Sequence, residues 1–185
     1  RDWSSDVCSS DRFKLWLARA FTVPGVRAVC CDANQPLPFA RRHFTATLLS
    51  DAFPYIWQRR LLATELLRAT RPDGTLLMPH LHSSLGWNHS AGMPLTPEAY
   101  ADLFAPGAPR LFNDEVLFDQ AVEGASLDLA GHRTPAELDT ANAITLLASA
   151  RPDVFTRAPV PALPPVAGEL RVNPLYTVRR EDGVS

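Results

Sequence analysis

The chain has 185 residues, 46% of them hydrophobic and 21% charged, which is enough for one domain that buries about two thirds of its unfolded surface. No apolar stretch approaches the roughly 18 residues a membrane helix needs, and a formal charge of -2 gives no general attraction to phosphate backbones or anionic lipid. Neither a membrane-spanning protein nor a nucleic-acid partner is expected. Three cysteines, two of them adjacent at Cys30 and Cys31, cannot build a disulfide framework and fit a reducing, cytoplasmic compartment.

Residues 2–11 read Asp-Trp-Ser-Ser-Asp-Val-Cys-Ser-Ser-Asp, an order that resembles the in-frame translation of a short-read sequencing adapter. Residues 1–11 are therefore set aside as non-native, and 12–185 are expected to form the C-terminal part of a single domain that opens in mid-fold at Arg12. Without the first eleven residues the chain is formally neutral. Lys14 is the only lysine among 18 basic residues, a codon bias that carries no chemistry.

In chain order, Phe13, Trp16, Leu17 and Ala20 fall on one face of a short amphipathic helix that Pro24 and Gly25 end. Residues 26–31 form an almost continuous apolar run, expected to be a strand covered on both faces, with Cys30 and Cys31 as small packing residues and Asp32 at its C-terminal end. After a Pro-Leu-Pro-Phe loop, residues 44–49 repeat the pattern as a second buried strand closing on Ser50 and Asp51. Residues 57–71, with Leu61, Leu62, Glu65 and Leu66 suitably spaced, predict a helix; Arg71-Pro72-Asp73-Gly74 predicts a turn, and residues 75–78 a third strand. Strand, helix and strand with short connections predict right-handed crossovers and a mostly parallel sheet.

The second half is less regular, with eleven of the 17 prolines beyond residue 90. Thr96-Pro97-Glu98 opens a short helix carrying Tyr100, Leu103 and Phe104. Thr134 and Glu137 fit a capping box opening a helix expected to run to about Ala150. Pro159 to Pro165 reads as an extended connector, and residues 170–179 as a final strand or strand pair.

From Val26 to His82 the chain resembles a class I S-adenosylmethionine-dependent methyltransferase of the small-molecule type. Five pieces stand in order: Cys31-Asp32-Ala33, Pro36-Leu37-Pro38-Phe39, Phe44 to Asp51, Glu65-Leu66-Leu67-Arg68, and Arg71-Pro72-Asp73-Gly74. Thr45 and Asp73 depart from the family's usual Asp and Gly. The acidic Gly-rich cofactor loop has no counterpart, and by the family's order it belongs about 50 residues before Asp32. The resemblance implies an α/β, Rossmann-like sheet, incomplete because its first two strands are missing, with an elaborated C-terminal half. The parent protein would transfer a methyl group from S-adenosyl-L-methionine to a small-molecule acceptor, while this chain alone would be inactive.

By that resemblance Asp32 accepts a hydrogen bond from the adenine amino group and the Ala33 backbone meets the ring. Ser50 and Asp51 would flank the methionine and methyl region. Capping and turn roles are open alternatives for all three polar residues. His80 and His82, two apart after the third strand, point the same way if the segment is extended, toward a methyl acceptor whose proton either could take. Adding His89 gives three imidazoles, but their spacing matches no zinc pattern, and no metal is expected. Residues 87–96 are placed to form a lid, or a plain connector. A non-catalytic methyltransferase-like binding module is the alternative function. A nicotinamide oxidoreductase would need a Gly-x-Gly-x-x-Gly loop before Asp32, and there is none.

Overall fold

A computed structural model describes residues 13–17, 20–21, 27–87 and 92–160. The expected adapter segment, the connector beyond residue 160 and the strand expected at 170–179 lie outside them. The architecture is α/β. Its main sheet holds β1 (Phe44–Leu48), β2 (Thr70–His82), β3 (Arg110–Asn113) and β5 (Ala143–Ser149) in the order β1-β2-β5-β3. A separate two-stranded ribbon pairs β4 (Leu127–Asp128) with β6 (Arg157–Ala158). The helices are α1 (Arg59–Ala69), α2 (Pro97–Leu103) and α3 (Asp114–Val122).

β1 and β2 are parallel and joined by α1, the expected crossover unit. β5 then runs antiparallel to both β2 and β3, so the described sheet is mixed, one parallel pair and two antiparallel. Residues 71–74 do not form a free turn. Phe44 pairs with Thr70 and Ala46 already with Thr75, so the Arg-Pro-Asp-Gly run is a bulge within β2. Its tip is tied by Arg71 to Asp73 at 2.9 Å. A Cβ on Gly74 would meet the carbonyls of Arg71 and Thr45 at 3.0 Å, so the bulge closes against β1 only because residue 74 has no side chain.

Three expectations need correction. Residues 27–31 are not a strand, and Cys30 and Cys31 are exposed: an apolar run becomes a doubly covered strand only where a sheet ladder and packed layers enclose it. β1 exists but is mostly exposed, with Leu48 66% accessible, because among the described residues it pairs with β2 alone. The helix expected from Thr134 to Ala150 is a short 3-10 helix, Pro135–Leu138, followed by β5. Glu137 does accept from the Thr134 N–H at 2.8 Å and its hydroxyl at 2.7 Å. Beyond that one turn, burial decides. The Ile-Thr-Leu-Leu-Ala run is buried on both faces between β2 and β3, which outweighs the helix propensity of Ala and Leu.

The main core packs Leu62, Ala63 and Leu66 of α1, and Tyr100 and Phe104 in and beside α2, on one face of the sheet. There they meet Leu76, Met78 and Leu81 of β2 and Ile144, Leu146 and Ala148 of β5. The opposite face is covered by Phe112, Leu147 and Phe155, with the Arg110 guanidinium 3.8 Å over the Phe155 ring. Thr96 caps α2 by accepting from the Ala99 N–H at 3.1 Å, as its sequence predicts. Among the described residues no helix is long and apolar enough to cross a membrane.

The Pro-Leu-Pro-Phe loop is held by α1. Glu65, buried on the helix, accepts the Leu37 N–H at 2.8 Å and pairs with Arg68 at 2.7 Å. The Arg68 guanidinium donates to the carbonyls of Phe39 (2.8 Å) and Leu37 (3.2 Å). At the other end of the helix Asn34 Oδ1 accepts the N–H groups of Trp57 (2.9 Å) and Gln58 (3.0 Å), just before α1 begins. The segment 32–39 thus lies along α1 with its Asp32 end at the side where β1 finishes.

Candidate functional site

Parallel β1 and β2 bring their carboxyl ends to one edge of the sheet. Antiparallel β5 starts at that edge, with Ala143 opposite His82, and β3 ends there, with Asn113 opposite Ile144. Five residues distant in sequence therefore converge: Asp51 just after β1, His80 and His82 at the end of β2, Asp114 opening α3, and Thr145 on β5.

His80 sits in a bulge. Met78 pairs with Leu146 and Leu81 with Ile144, so three steps of β2 match two of β5, and His80 takes the left-handed conformation at φ 56. Pro79, which has no N–H to give the ladder, precedes it. The two histidine rings meet edge to face with centroids 4.9 Å apart. They come together through the bulge, not through the uniform alternation expected of a plain strand.

Asp114 holds His80 twice, accepting its backbone N–H at 3.0 Å and lying 2.8 Å from Nδ1. The Thr145 hydroxyl donates to the same carboxylate at 2.5 Å. Burial alone would raise the Asp114 pKa, but the hydrogen bonds from Thr145 and His80 outweigh it and hold the carboxyl below its ordinary value. An ionised carboxylate only accepts, so His80 Nδ1 carries a hydrogen and the neutral ring keeps its lone pair on Nε2. His82 Nε2 lies 3.3 Å from Asp51 Oδ1, and Asp51 too is left-handed, at φ 47. The buried Tyr100 hydroxyl donates to the His82 carbonyl at 3.0 Å, fixing the backbone that carries the ring.

Asp32 is half-buried and does not end a strand. Its Oδ1 accepts the backbone N–H of Asn34 at 2.8 Å and the Asn34 side-chain amide at 3.0 Å, the capping role open to it from sequence. Oδ2 has no partner among the described residues. Ala33 packs against the main core, and Ser50 is exposed. A cavity of about 520 Å³ lies between the start of α1 and α2, lined by Trp57, Arg59, Leu95 and Asp102 among others. A second of about 350 Å³ lies by the β2 bulge. The open Asp32 oxygen can accept a further hydrogen bond, and it stands at the carboxyl side of β1.

Of the expected lid, residues 88–91 lie outside the described residues. Its later part is tied down, Met93 donating to the Pro54 carbonyl at 2.8 Å and accepting from Arg59 at 2.8 Å. Asp114 and Thr145 are not singled out by the sequence, and Tyr100 reads there only as a helix residue. The signal for Asp114 is legible in retrospect: Asn113-Asp114-Glu115 is a cap followed by first-turn acids, and Asn113 Oδ1 does accept the N–H groups of Glu115 (3.0 Å) and Val116 (3.3 Å).

No protein-family model matches the sequence, and no curated protein matches it. Solved structures do. A chain in the complex of the Haloferax volcanii Trm112 methyltransferase activator with a protein named as a methyltransferase is 14% identical over 74% of this chain and 67% of its own, at a TM-score of 0.50. A SAM-dependent methyltransferase from Thermotoga maritima is 13% identical over 68% and 64%, at 0.44, and the cyclase SpnF 15% identical over 85% and 64%, at 0.39. The chain thus spans 64 to 67% of the length of these three proteins. At such identities the likeness is one of fold, a Rossmann-like α/β arrangement.

Proposed function

We propose that this chain is the C-terminal part of a cytoplasmic S-adenosylmethionine-dependent methyltransferase acting on a small-molecule acceptor. The observation that carries the reading is the placement of Asp51, His80 and His82 at the carboxyl ends of the parallel pair β1 and β2, where open α/β sheets bind their ligands. The cofactor, when bound, supplies an electrophilic methyl group. Asp32 would accept from its adenine amino group, the Ala33 backbone would meet the ring, and Ser50 and Asp51 would border its methionine end. His80, its Nδ1–H held by Asp114, keeps Nε2 for the acceptor's proton, with His82 beside it. The remaining cofactor contacts would come from sequence before Arg12, and the 185-residue chain is proposed to be inactive alone.

The test begins with one long sequencing read of the source DNA across the Arg12 codon, followed by expression of the continuous reading frame. Binding of S-adenosylmethionine to that protein, weakened roughly tenfold by Asp32→Ala, together with methyl transfer to small-molecule acceptors, is the expected result. A continuous protein that binds no S-adenosylmethionine overturns the reading. One that binds it without transferring methyl supports a non-catalytic binding module.

A further inference from the structure

Asp51, His80 and His82 offer one carboxylate and two imidazoles, and their ligand atoms all lie within 4.8 Å of one another. Spacing alone shows no metal pattern here. The two histidines are one residue apart, and the third donor comes from a different strand's loop, brought in only by the parallel pairing of β1 and β2. We propose that these three side chains bind one divalent first-row transition ion, of which Zn2+ and Co2+ are the working examples.

Several observations carry this. The 3.3 Å between His82 Nε2 and Asp51 Oδ1 is about the ligand-to-ligand edge of a tetrahedron with bonds of roughly 2.0–2.1 Å, so an ion fits between them with little movement. The wider separations in the triad require a shift of roughly 1–1.5 Å to reach that edge. Asp51, about half exposed, can make it while Asp114 keeps His80 in place. Asp51 forms no ion pair with Arg or Lys among the described residues, so its charge is not already neutralised.

His80 has the support that metal-bound histidines have. Asp114 takes its Nδ1 at 2.8 Å, is itself fixed by Thr145, and leaves Nε2 as the ring's donor atom. His82 is anchored through its carbonyl by Tyr100. Imidazole nitrogens with one carboxylate favour a borderline ion over Mg2+ or Ca2+, which take oxygen sets. Three protein ligands leave at least one coordination position open toward solvent. Ion binding stands independently of methyl transfer. Where the proposed reading holds, the ion takes the histidine lone pairs that would otherwise receive the acceptor's proton, so the loaded and the proton-accepting states exclude each other.

The test is titration of the complete 185-residue chain, without an affinity tag, with CoCl2, read by visible d–d absorption, and then displacement by ZnCl2. Cys8→Ser, Cys30→Ser and Cys31→Ser are combined as the background, so that thiolates do not compete. One equivalent of Co2+ is expected. His80→Ala and His82→Ala should each weaken it at least ~100-fold, Asp51→Asn ~10-fold, and Asp114→Asn ~10–100-fold, with His43→Ala and His132→Ala unchanged. Far-UV circular dichroism shows whether each variant keeps its fold. Asp51→Asn, at an exposed position, keeps the test decisive if a histidine variant unfolds. Absence of Co2+ binding by folded protein overturns the proposal. So does binding that survives Asp51→Asn and His82→Ala unweakened, or that is lost with His43 or His132.

Discussion

The hydroxyl of Tyr100 joins α2 to the last residue of β2: it donates to the His82 carbonyl at 3.0 Å and accepts the Leu95 N–H at 3.2 Å, while the ring is fully buried. Burial raises its pKa, so it stays protonated and able to donate. Tyr100→Phe keeps the packing but leaves a carbonyl and an N–H without partners. It should cost about 1–3 kcal/mol, seen as a lower urea midpoint with an unchanged m-value.

Glu65 and Arg68 do for the 36–39 loop what Tyr100 does for β2. Glu65→Ala removes one partner of a largely buried pair and frees the Leu37 N–H, for an expected loss of about 2–4 kcal/mol in urea denaturation. Arg68→Met should cost at least as much, because it leaves the buried Glu65 carboxylate with the Leu37 N–H alone and frees the carbonyls of Phe39 and Leu37.

The same pair makes stability depend on pH. The Arg68 hydrogen bond, aided by the Leu37 N–H, outweighs burial and holds the Glu65 carboxyl below its ordinary 4.5. A depressed folded-state pKa gives stability that is complete above the unfolded value and lost as pH falls through the folded one. The urea midpoint should therefore fall as pH is lowered from about 5, and Glu65→Gln should flatten that fall. Equal slopes for both proteins would disprove the assignment.

Gly86 crosses directly over Asn142, whose side chain donates to Glu115 at 3.0 Å. A Cβ at residue 86 would stand 2.8 Å from the Asn142 Cα, a backbone contact that no side-chain rotation relieves. Gly86→Ala should destabilise by about 1–3 kcal/mol in thermal or urea unfolding.

Leu48 is exposed on β1, the edge strand of the sheet among the described residues. Leu48→Lys should reduce self-association in light scattering, with a stability change within about 0.5 kcal/mol.

Elements whose signal is local were legible from sequence. Thr96 and Pro97 opened α2, the Leu61 to Leu66 spacing marked α1, and Thr134 and Glu137 found each other. Elements decided by tertiary partners were not. Residues 143–149 carry helix formers behind a capping signal, yet burial between two strands makes them β5, and with that error Thr145 was lost to the site. Residues 26–31 carry the apolar pattern of a buried strand, but a pattern does not decide whether a sheet ladder forms, and 27–31 form no strand. Asp51, His80 and His82 were each singled out in sequence. Their meeting was not foreseeable, because it needs the register of β1 on β2 and the extra residue at His80.

The place of β5 in the order of synthesis has a consequence of its own. Thr75 and Ser149 share a hydrogen bond at 3.2 Å across 74 residues of chain, and every contact of β5 with β2 spans a similar gap. While the ribosome is still making residues 83–142, β2 has α1 on one face and β1 along one edge, and its other edge is open. The sheet closes only after Ala143–Ser149 emerges to slot between β2 and β3. Loop closure over such distances slows folding and prolongs the exposure of Leu76, Met78 and Leu81. The nascent chain is thus most in need of a chaperone over the sixty residues that precede its central strand.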